Sequence, residues 1–294
     1  MMEKILDGSA IAGDIKAELA LKVAGRVNSG KRPPHLVAIL LGEDGGSLSY
    51  IQHKVKDCAQ VGFTSTVKQF PDTMSEEDLL SVIEQINSDP SIDGCIVQLP
   101  LPGHISVSRV IEAISPQKDV DGFHPVNLGR MMVNIPGYVP ATPWGIVQLL
   151  LRSGVETCGK HVVVVGRSQI VGSPLSVLLS RDIPGGNATV TLTHRYTQNL
   201  ESLCSSADIL ITAIGKPGFF GASFVKSGAV VIDVGTTRVE DSGNPRGWRL
   251  RGDVDFEQVF EKVACITPVP GGVGPMTRVG LLHNTWLASE NNLY

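Results

Sequence analysis

The sequence predicts an α/β protein of two domains, the second built around a doubly wound parallel sheet. Short apolar runs alternate with stretches of helical periodicity along the chain, the rhythm of parallel β-α-β units with right-handed crossovers. In the second half these runs are apolar throughout, as strands buried on both faces of a parallel sheet are. The 294 residues also exceed the roughly 250 at which single cores stop growing, so two domains are expected.

The first helix is expected over GSAIAGDIKAELALKVAGRVNSG, where Ile11, Ile15, Leu19, Val23 and Val27 recur at helical spacing between Ser9 and Gly30. Then come the strand LVAILLG (36–42), a helix from about Ser47 to Val61, the strand TSTVKQF, a helix from Ser75 to Asn87 and the strand GCIVQLP. Ser75 and Asp78 form the pattern that caps a helix start. Beyond KDVDGFHP the stretch NLGRMMVNIPGYVPATP reads as loop, and the helix WGIVQLLLRSG follows. The domain boundary is placed near 140–150, giving a first domain 1–145 and a second domain 146–274. The latter supplies strands at HVVVVG, ATVTLTH, DILITAI and AVVIDVG. A last helix, 275–294, is expected to pack back on the first domain, with Pro275 near its first turn, where no N–H is needed.

Composition narrows the function. Hydrophobic residues make up 42% and charged residues 18%, a packed chain and not a disordered one. Lys and Arg number 25 against 29 Asp and Glu, a net charge of −4, which argues against nucleic acid as partner because phosphate neutralisation needs a basic surface. A small-molecule substrate is favoured. The five cysteines never fall in C-x-x-C spacing, and no histidine pair has H-E-x-x-H spacing, so neither a disulfide framework nor a metal site is indicated. The start, MMEKILDGSAIAGDIK, lacks a basic segment followed by an apolar run, and no apolar stretch reaches the roughly 18 residues of a membrane span. A soluble cytoplasmic protein is expected, with no membrane partner; an organellar protein trimmed of its leader would look the same.

The segment VVVVGRSQIVGSP (162–174) runs a buried strand into a glycine turn and a helix, as a Rossmann-like nucleotide site does. The full G-x-G-x-x-G is absent: Gly166 is followed by Arg167 and Ser168, and the next glycine is Gly172. A helix starting there can still receive a phosphate through free N–H groups and its dipole. Arg167, and Arg195 just past the next strand, sit where such folds meet the adenosine ribose; two guanidiniums there suit a 2′-phosphate, hence NADP. A plain strand-to-helix turn with two solvated arginines fits the pattern as well.

In the first domain Tyr50 and Lys54 are four apart on an expected helix, so they share a face. Such a pair could transfer protons, the ring shielding an amine whose pKa falls on desolvation; an ordinary solvated face is the plainer alternative. The pair is also a hallmark of short-chain dehydrogenases, but there the glycine loop precedes it, and here the order is reversed. Gln98, in VQLPLP, stands at the C-terminal end of a strand, the edge where open α/β sheets bind ligands. Asp119 and Asp121 flank a turn at Gly122, and either could simply brace it. PVPGGVGP (268–275) is a stiff connector or a wall of backbone amides against a flat ligand.

SYIQHK, VQLPLP, KDVDGFHP, VVVVGRSQIVGSP and TPVPGGVGPMT, in this order over nearly the whole chain, resemble the methylenetetrahydrofolate dehydrogenase/cyclohydrolase family of the FolD type. The resemblance implies NADP-dependent oxidation of 5,10-methylenetetrahydrofolate to 5,10-methenyltetrahydrofolate and hydrolysis of the latter to 10-formyltetrahydrofolate. It also implies a homodimer with a folate cleft between the domains. By motif, Lys54 would be the key catalytic residue, Tyr50 would stack along the folate, Gln98 would act beside Lys54 and Asp121 would hold the pterin. Val97, Leu99 and the loop Pro270, Gly271, Gly272, Val273 and Gly274 would line the substrate site. Gly166, Arg167, Ser168, Gly172, Arg195 and Thr236 would hold the cofactor.

Two departures stand out. Thr236 follows Gly235 where the family often has isoleucine near the nicotinamide. RDIPGGN (181–187) and VEDSGNPRGWRLRGDV (239–254) look longer than usual and read as surface insertions. The rival readings are a shikimate-type two-domain dehydrogenase, which leaves VQLPLP and PGGVGP without a purpose, and a nucleotide-binding protein without catalysis.

Overall fold

The computed structural model describes residues 4–291 and 293–294; the first three residues of the stretch read for a targeting signal lie outside them. The chain forms two compact units, Gly13–Ala141 with Arg278–Tyr294, and the segment up to Ala12 with Thr142–Thr277.

The first unit contains most of α1 (Gly8–Asn28), then β1 (His35–Leu41), α2 (Gly45–Val61), β2 (Thr64–Phe70), α3 (Glu76–Ser88), β3 (Gly94–Val97), α4 (Val107–Ala113) and α5 (Pro125–Met132). Its sheet is wholly parallel in the order β2-β1-β3, and Cys95 bridges Asp119 in parallel beside β3. Val37, Ile39, Leu79, Ile83, Cys95 and Val97 form one core between this sheet and α3. Ser75 caps α3 as its pattern predicts, accepting from the Asp78 N–H. Asp44 caps α2 by accepting from the Ser47 N–H, so only three residues separate β1 from α2, whose first turns lie at the strands' C-terminal edge.

The second unit holds α6 (Ala141–Arg152) from Thr142 onward, β4 (His161–Val165), α7 (Gly172–Ser180), β5 (Thr189–Thr193), α8 (Leu200–Ser205), β6 (Ile209–Thr212), β7 (Val230–Asp233), β8 (Thr237–Glu240), β9 (Trp248–Arg251), α9 (Phe256–Phe260), β10 (Cys265–Ile266) and the start of α10 (Val273–Ser289). Five parallel strands run in the order β10-β7-β6-β4-β5. This is a doubly wound sheet whose order reverses between β4 and β6, the place where such sheets bind ligands.

Several expectations change. The units divide at 141/142 and 277/278, inside α6 and α10, so no change of composition marks the cuts. The first residues belong with the second unit because Ile5 bridges Ile266, extending the sheet past β10. The stretch read as loop after His124 contains α5; the His124 side chain caps it, accepting from the Val126 N–H, and Pro125 fills its first turn. Residues 239–254 are no simple surface insertion: β8 and β9 pair as an antiparallel hairpin, and Gly252, Asp253 and Val254 are buried. Residues 181–187 also pack inward, Gly185 sitting against Val147 and Leu151.

Candidate active site

One face of α2 brings together the candidate residues Tyr50 and Lys54. Tyr50, Lys54 and Asp57 follow at i, i+4 and i+7, positions that stack along one side of a helix. Lys54 is 8% exposed, its Nζ donates to Gln98 Oε1 at 3.2 Å, and it lies 4.7 Å from the centre of the Tyr50 ring. Gln98 follows β3 directly, and its Nε2 donates to the Leu99 carbonyl at 2.7 Å. That second bond fixes the amide so that its oxygen meets the amine.

Burial draws the Lys54 pKa below the usual lysine range, against the pull of the Asp121 carboxylate. Asp121 is pushed up to about 6, chiefly by burial, with Lys54 holding it back and Asp119 adding to the rise. The Tyr50 phenol rises to about 12, again through burial first and then Asp121, while the Arg278 cation opposes the rise.

The two aspartates of KDVDGFHP divide their roles. Asp119 accepts from the N–H groups of Phe123 and His124 and from Asn127 Nδ2 at 3.2, 2.8 and 2.8 Å; it braces the turn. Asp121 takes no side-chain hydrogen bond from a described residue and faces the same pocket as Val97 and Leu99. Its carboxylate oxygens could accept hydrogen bonds from a ligand.

The second unit's candidates gather at the C-terminal edge of its sheet. Val165 pairs with Thr193, and the Gly166 N–H donates to the Thr193 carbonyl at 3.0 Å. Arg167 and Arg195 therefore leave adjacent strand ends in register, and both are exposed. Gly166 has φ +118°, and a Cβ there would stand 2.3 Å from the Ala213 carbonyl oxygen; one on Gly172 would stand 1.7 Å from the Gly166 oxygen. Only glycine fits either place. Ser168 Oγ accepts from the Val171 N–H, and its carbonyl from the Ser173 N–H. Val171 at the start of α7 offers no side-chain cap. A loop turned back on itself at two glycines, flanked by open guanidiniums and an uncapped helix start, fits the phosphates of a dinucleotide. Thr236 is exposed just past β7, and its hydroxyl donates to the Val234 carbonyl at 3.2 Å.

The loop 268–274 belongs to the second unit. The Gly271 carbonyl accepts from the Ser9 N–H at 2.9 Å, and the Gly272 N–H donates to the Pro268 carbonyl. Gly272 and Val273 are buried, whereas Pro270 and Gly274 are exposed.

Sequence reasoning missed two features. Asp253 accepts from the N–H groups of Ile214, Gly215 and Lys216 at 2.7, 3.2 and 2.7 Å. Asp233 accepts from those of Gly235, Asp253 and Val254 at 3.0, 2.9 and 2.9 Å. Together these buried acids tie down the loops after β6 and β7. An acid ending an apolar strand, as in VVID, was the available signal. The other feature is Asp57, paired with Lys16 and Arg278 across more than forty residues of sequence, which no local pattern reveals.

The profile described as "Tetrahydrofolate dehydrogenase/cyclohydrolase, catalytic domain" matches residues 6–121, and that described as "Tetrahydrofolate dehydrogenase/cyclohydrolase, NAD(P)-binding domain" matches residues 140–293. A "Bifunctional protein FolD" of Cytophaga hutchinsonii is 55% identical over 286 residues, 97% of this chain and 99% of that protein. Among solved structures, a 5,10-methylenetetrahydrofolate dehydrogenase of Bombyx mori is 44% identical, with TM-score 0.92 over 98% of each chain. The FolD of Trypanosoma brucei, complexed with NADP cofactor and inhibitor, is 38% identical, with TM-score 0.92 over 97% of each chain.

Proposed function

The chain belongs to the tetrahydrofolate dehydrogenase/cyclohydrolase family, and from that premise we infer that it oxidises 5,10-methylenetetrahydrofolate with NADP and hydrolyses the product to 10-formyltetrahydrofolate. The shikimate-type and non-catalytic readings give way to it. One observation supports the chemistry above the rest: a buried lysine with a depressed pKa, hydrogen-bonded to a neutral amide and close to an aspartate open to ligand.

NADP, when bound, accepts the hydride. The carbon that gives it up lies between two nitrogens whose lone pairs stabilise the resulting cation, so this step asks the protein for orientation more than acid catalysis. Asp121 supplies orientation, because a carboxylate can accept the N3–H and 2-amino hydrogens of a pterin side by side. Tyr50 offers its ring along the folate. Hydrolysis needs proton transfer: water adding to the cation loses a proton, and a C–N bond then breaks as its nitrogen gains one. Lys54, kept partly neutral by burial, takes the first proton and returns the second, and Gln98 holds its Nζ in place. Gly166, Ser168, Gly172 and Thr236 shape the NADP site, and Arg167 and Arg195 take its 2′-phosphate.

The same reading makes the protein a cytoplasmic homodimer without nucleic-acid or membrane partners. None of the five cysteines is joined in a disulfide among the described residues. Among the described residues no helix is long and apolar enough to cross a membrane.

The test is incubation with 5,10-methylenetetrahydrofolate and either NADP or NAD, following methenyl and formyl products separately. Both products should form, faster with NADP. No reduced nicotinamide with either cofactor overturns the reading.

A further inference from the structure

Asp57 lies on the buried face of α2 one turn beyond Lys54, and two cations hold it. Lys16 Nζ is 3.0 Å from its Oδ1, and Arg278 Nε is 2.6 Å from its Oδ2. Two cations on one carboxylate leave one positive charge uncompensated, and the surplus belongs to Arg278. Lys16 has a further acceptor in Gln60 Oε1 at 2.7 Å. Arg278 gives only its Nε–H to Asp57, and its two terminal amino groups meet no acceptor among the described residues. Its side chain keeps 21% of its surface open. Asp57 shares its face of α2 with Tyr50 and Lys54, so the guanidinium it anchors stands beside those two residues, and its charge opposes ionisation-suppressing burial at the Tyr50 phenol.

A guanidinium anchored at Nε presents its terminal N–H groups as a planar fork, which fits a carboxylate. In tetrahydrofolate the pterin and the benzoyl ring are uncharged, and the glutamate tail carries the carboxylates. We propose that Arg278 binds a carboxylate of that tail, so that Asp121, Tyr50 and Arg278 take the pterin, the ring and the glutamate in order. This rests on the reading that the first unit binds tetrahydrofolate.

The test compares hydrolysis of 5,10-methenyltetrahydrofolate with that of its tail-less carboxamide, in which the glutamate is removed and the benzoyl group ends as a neutral amide. In the wild type the carboxamide should show a KM about ten-fold higher, as loss of a hydrogen bond to a charged group implies. Arg278→Met should raise KM for the glutamate substrate by a similar factor without changing kcat, and leave KM for the carboxamide alone; Arg278→Lys should recover part of the loss. Equal KM values for the two substrates in the wild type overturn the proposal without any variant, so a misfolded Arg278→Met cannot shelter it. A rise of the same factor for both substrates in Arg278→Met also overturns it, since that is a structural effect. If the wild type hydrolyses both with equal KM, the activity stands and the arginine's role falls. If it hydrolyses neither, both fall.

Discussion

Lys54 and Gln98 stand on separate elements of the first unit, joined by one hydrogen bond of 3.2 Å from Nζ to Oε1. The partner's neutrality matters. A carboxylate in that place would stabilise the ammonium and keep it charged, whereas an amide orients the amine and leaves burial free to lower its pKa. The largest opposing influence is Asp121, whose charge pulls the other way. That balance is what suits Lys54 to the acid and base roles proposed for it.

Lys54→Met should lower hydrolysis of methenyltetrahydrofolate by at least about 100-fold, the usual loss when a general acid or base is removed, while part of the hydride transfer survives. The unbranched apolar side chain fits the buried space, so urea denaturation should show no loss of stability. Unchanged loss of methenyl absorbance in the variant would refute the role given to Lys54.

If Asp121 holds the pterin, it sets the acid limb. Its carboxyl, held up to about 6, accepts pterin hydrogens only when ionised, so kcat/KM for the folate substrate should rise with pH through about 6 and level off above it. Asp121→Asn should flatten that limb at a lower plateau. Lys54→Met, by removing the cation that holds Asp121 back, should move the dehydrogenase limb to higher pH. The stability effect has the opposite sign: the folded-state pKa lies above the ordinary 3.8, so the contribution of Asp121 is complete below about 4 and is lost as pH rises through 6. The difference in stability between wild type and Asp121→Asn, measured from pH 4 to 7, checks both sign and window.

Much of this was legible from local pattern. Ser75 and Asp78 announce α3, Ile11 to Val27 announce α1, and the all-apolar strands of the second half announce a parallel sheet, because each depends on neighbours in sequence. Tyr50 and Lys54 could be placed on one helix face for the same reason. Whether that face was solvated could not be read, since the surroundings of the buried Lys54 include Gln98 and Asp121, more than forty residues away. β10 escaped notice because two residues make no pattern; its pairing with β7 and with Ile5 makes it a strand. α5 was hidden by Gly129 and the loop-like Asn and Pro residues around it, although His124 and Pro125 form a sound helix start.

Arg167→Ala should weaken the preference for NADP. If the guanidinium meets the 2′-phosphate, kcat/KM with NADP falls about ten-fold or more, and kcat/KM with NAD changes little. Arg167 is exposed, so stability should be unaffected. An unaltered ratio of the two kcat/KM values would remove Arg167 from the phosphate site.

Asp253 offers the sharpest test of how the second unit is held together. Its carboxylate gathers three consecutive N–H groups, those of Ile214, Gly215 and Lys216, and the residue is fully buried. Asp253→Ala leaves all three without their acceptor, and at about 1–3 kcal/mol for each buried unsatisfied group, reduced by water reaching part of the loop, the expected loss is about 3–5 kcal/mol. Asp253→Asn keeps one oxygen, enough for the Ile214 and Gly215 bonds that Oδ2 now accepts, but turns an amide NH2 toward the Lys216 N–H. It should therefore cost less, about 1–2 kcal/mol. The order wild type, Asn, Ala in urea midpoint, with an unchanged m-value, is the expected result. Because the loops after β6 and β7 flank the strand ends where the cofactor is placed, KM for NADP should rise in the same order, with KM for the folate following it much less. Equal midpoints for Asn and Ala would mean that the three bonds do not set the stability of this edge.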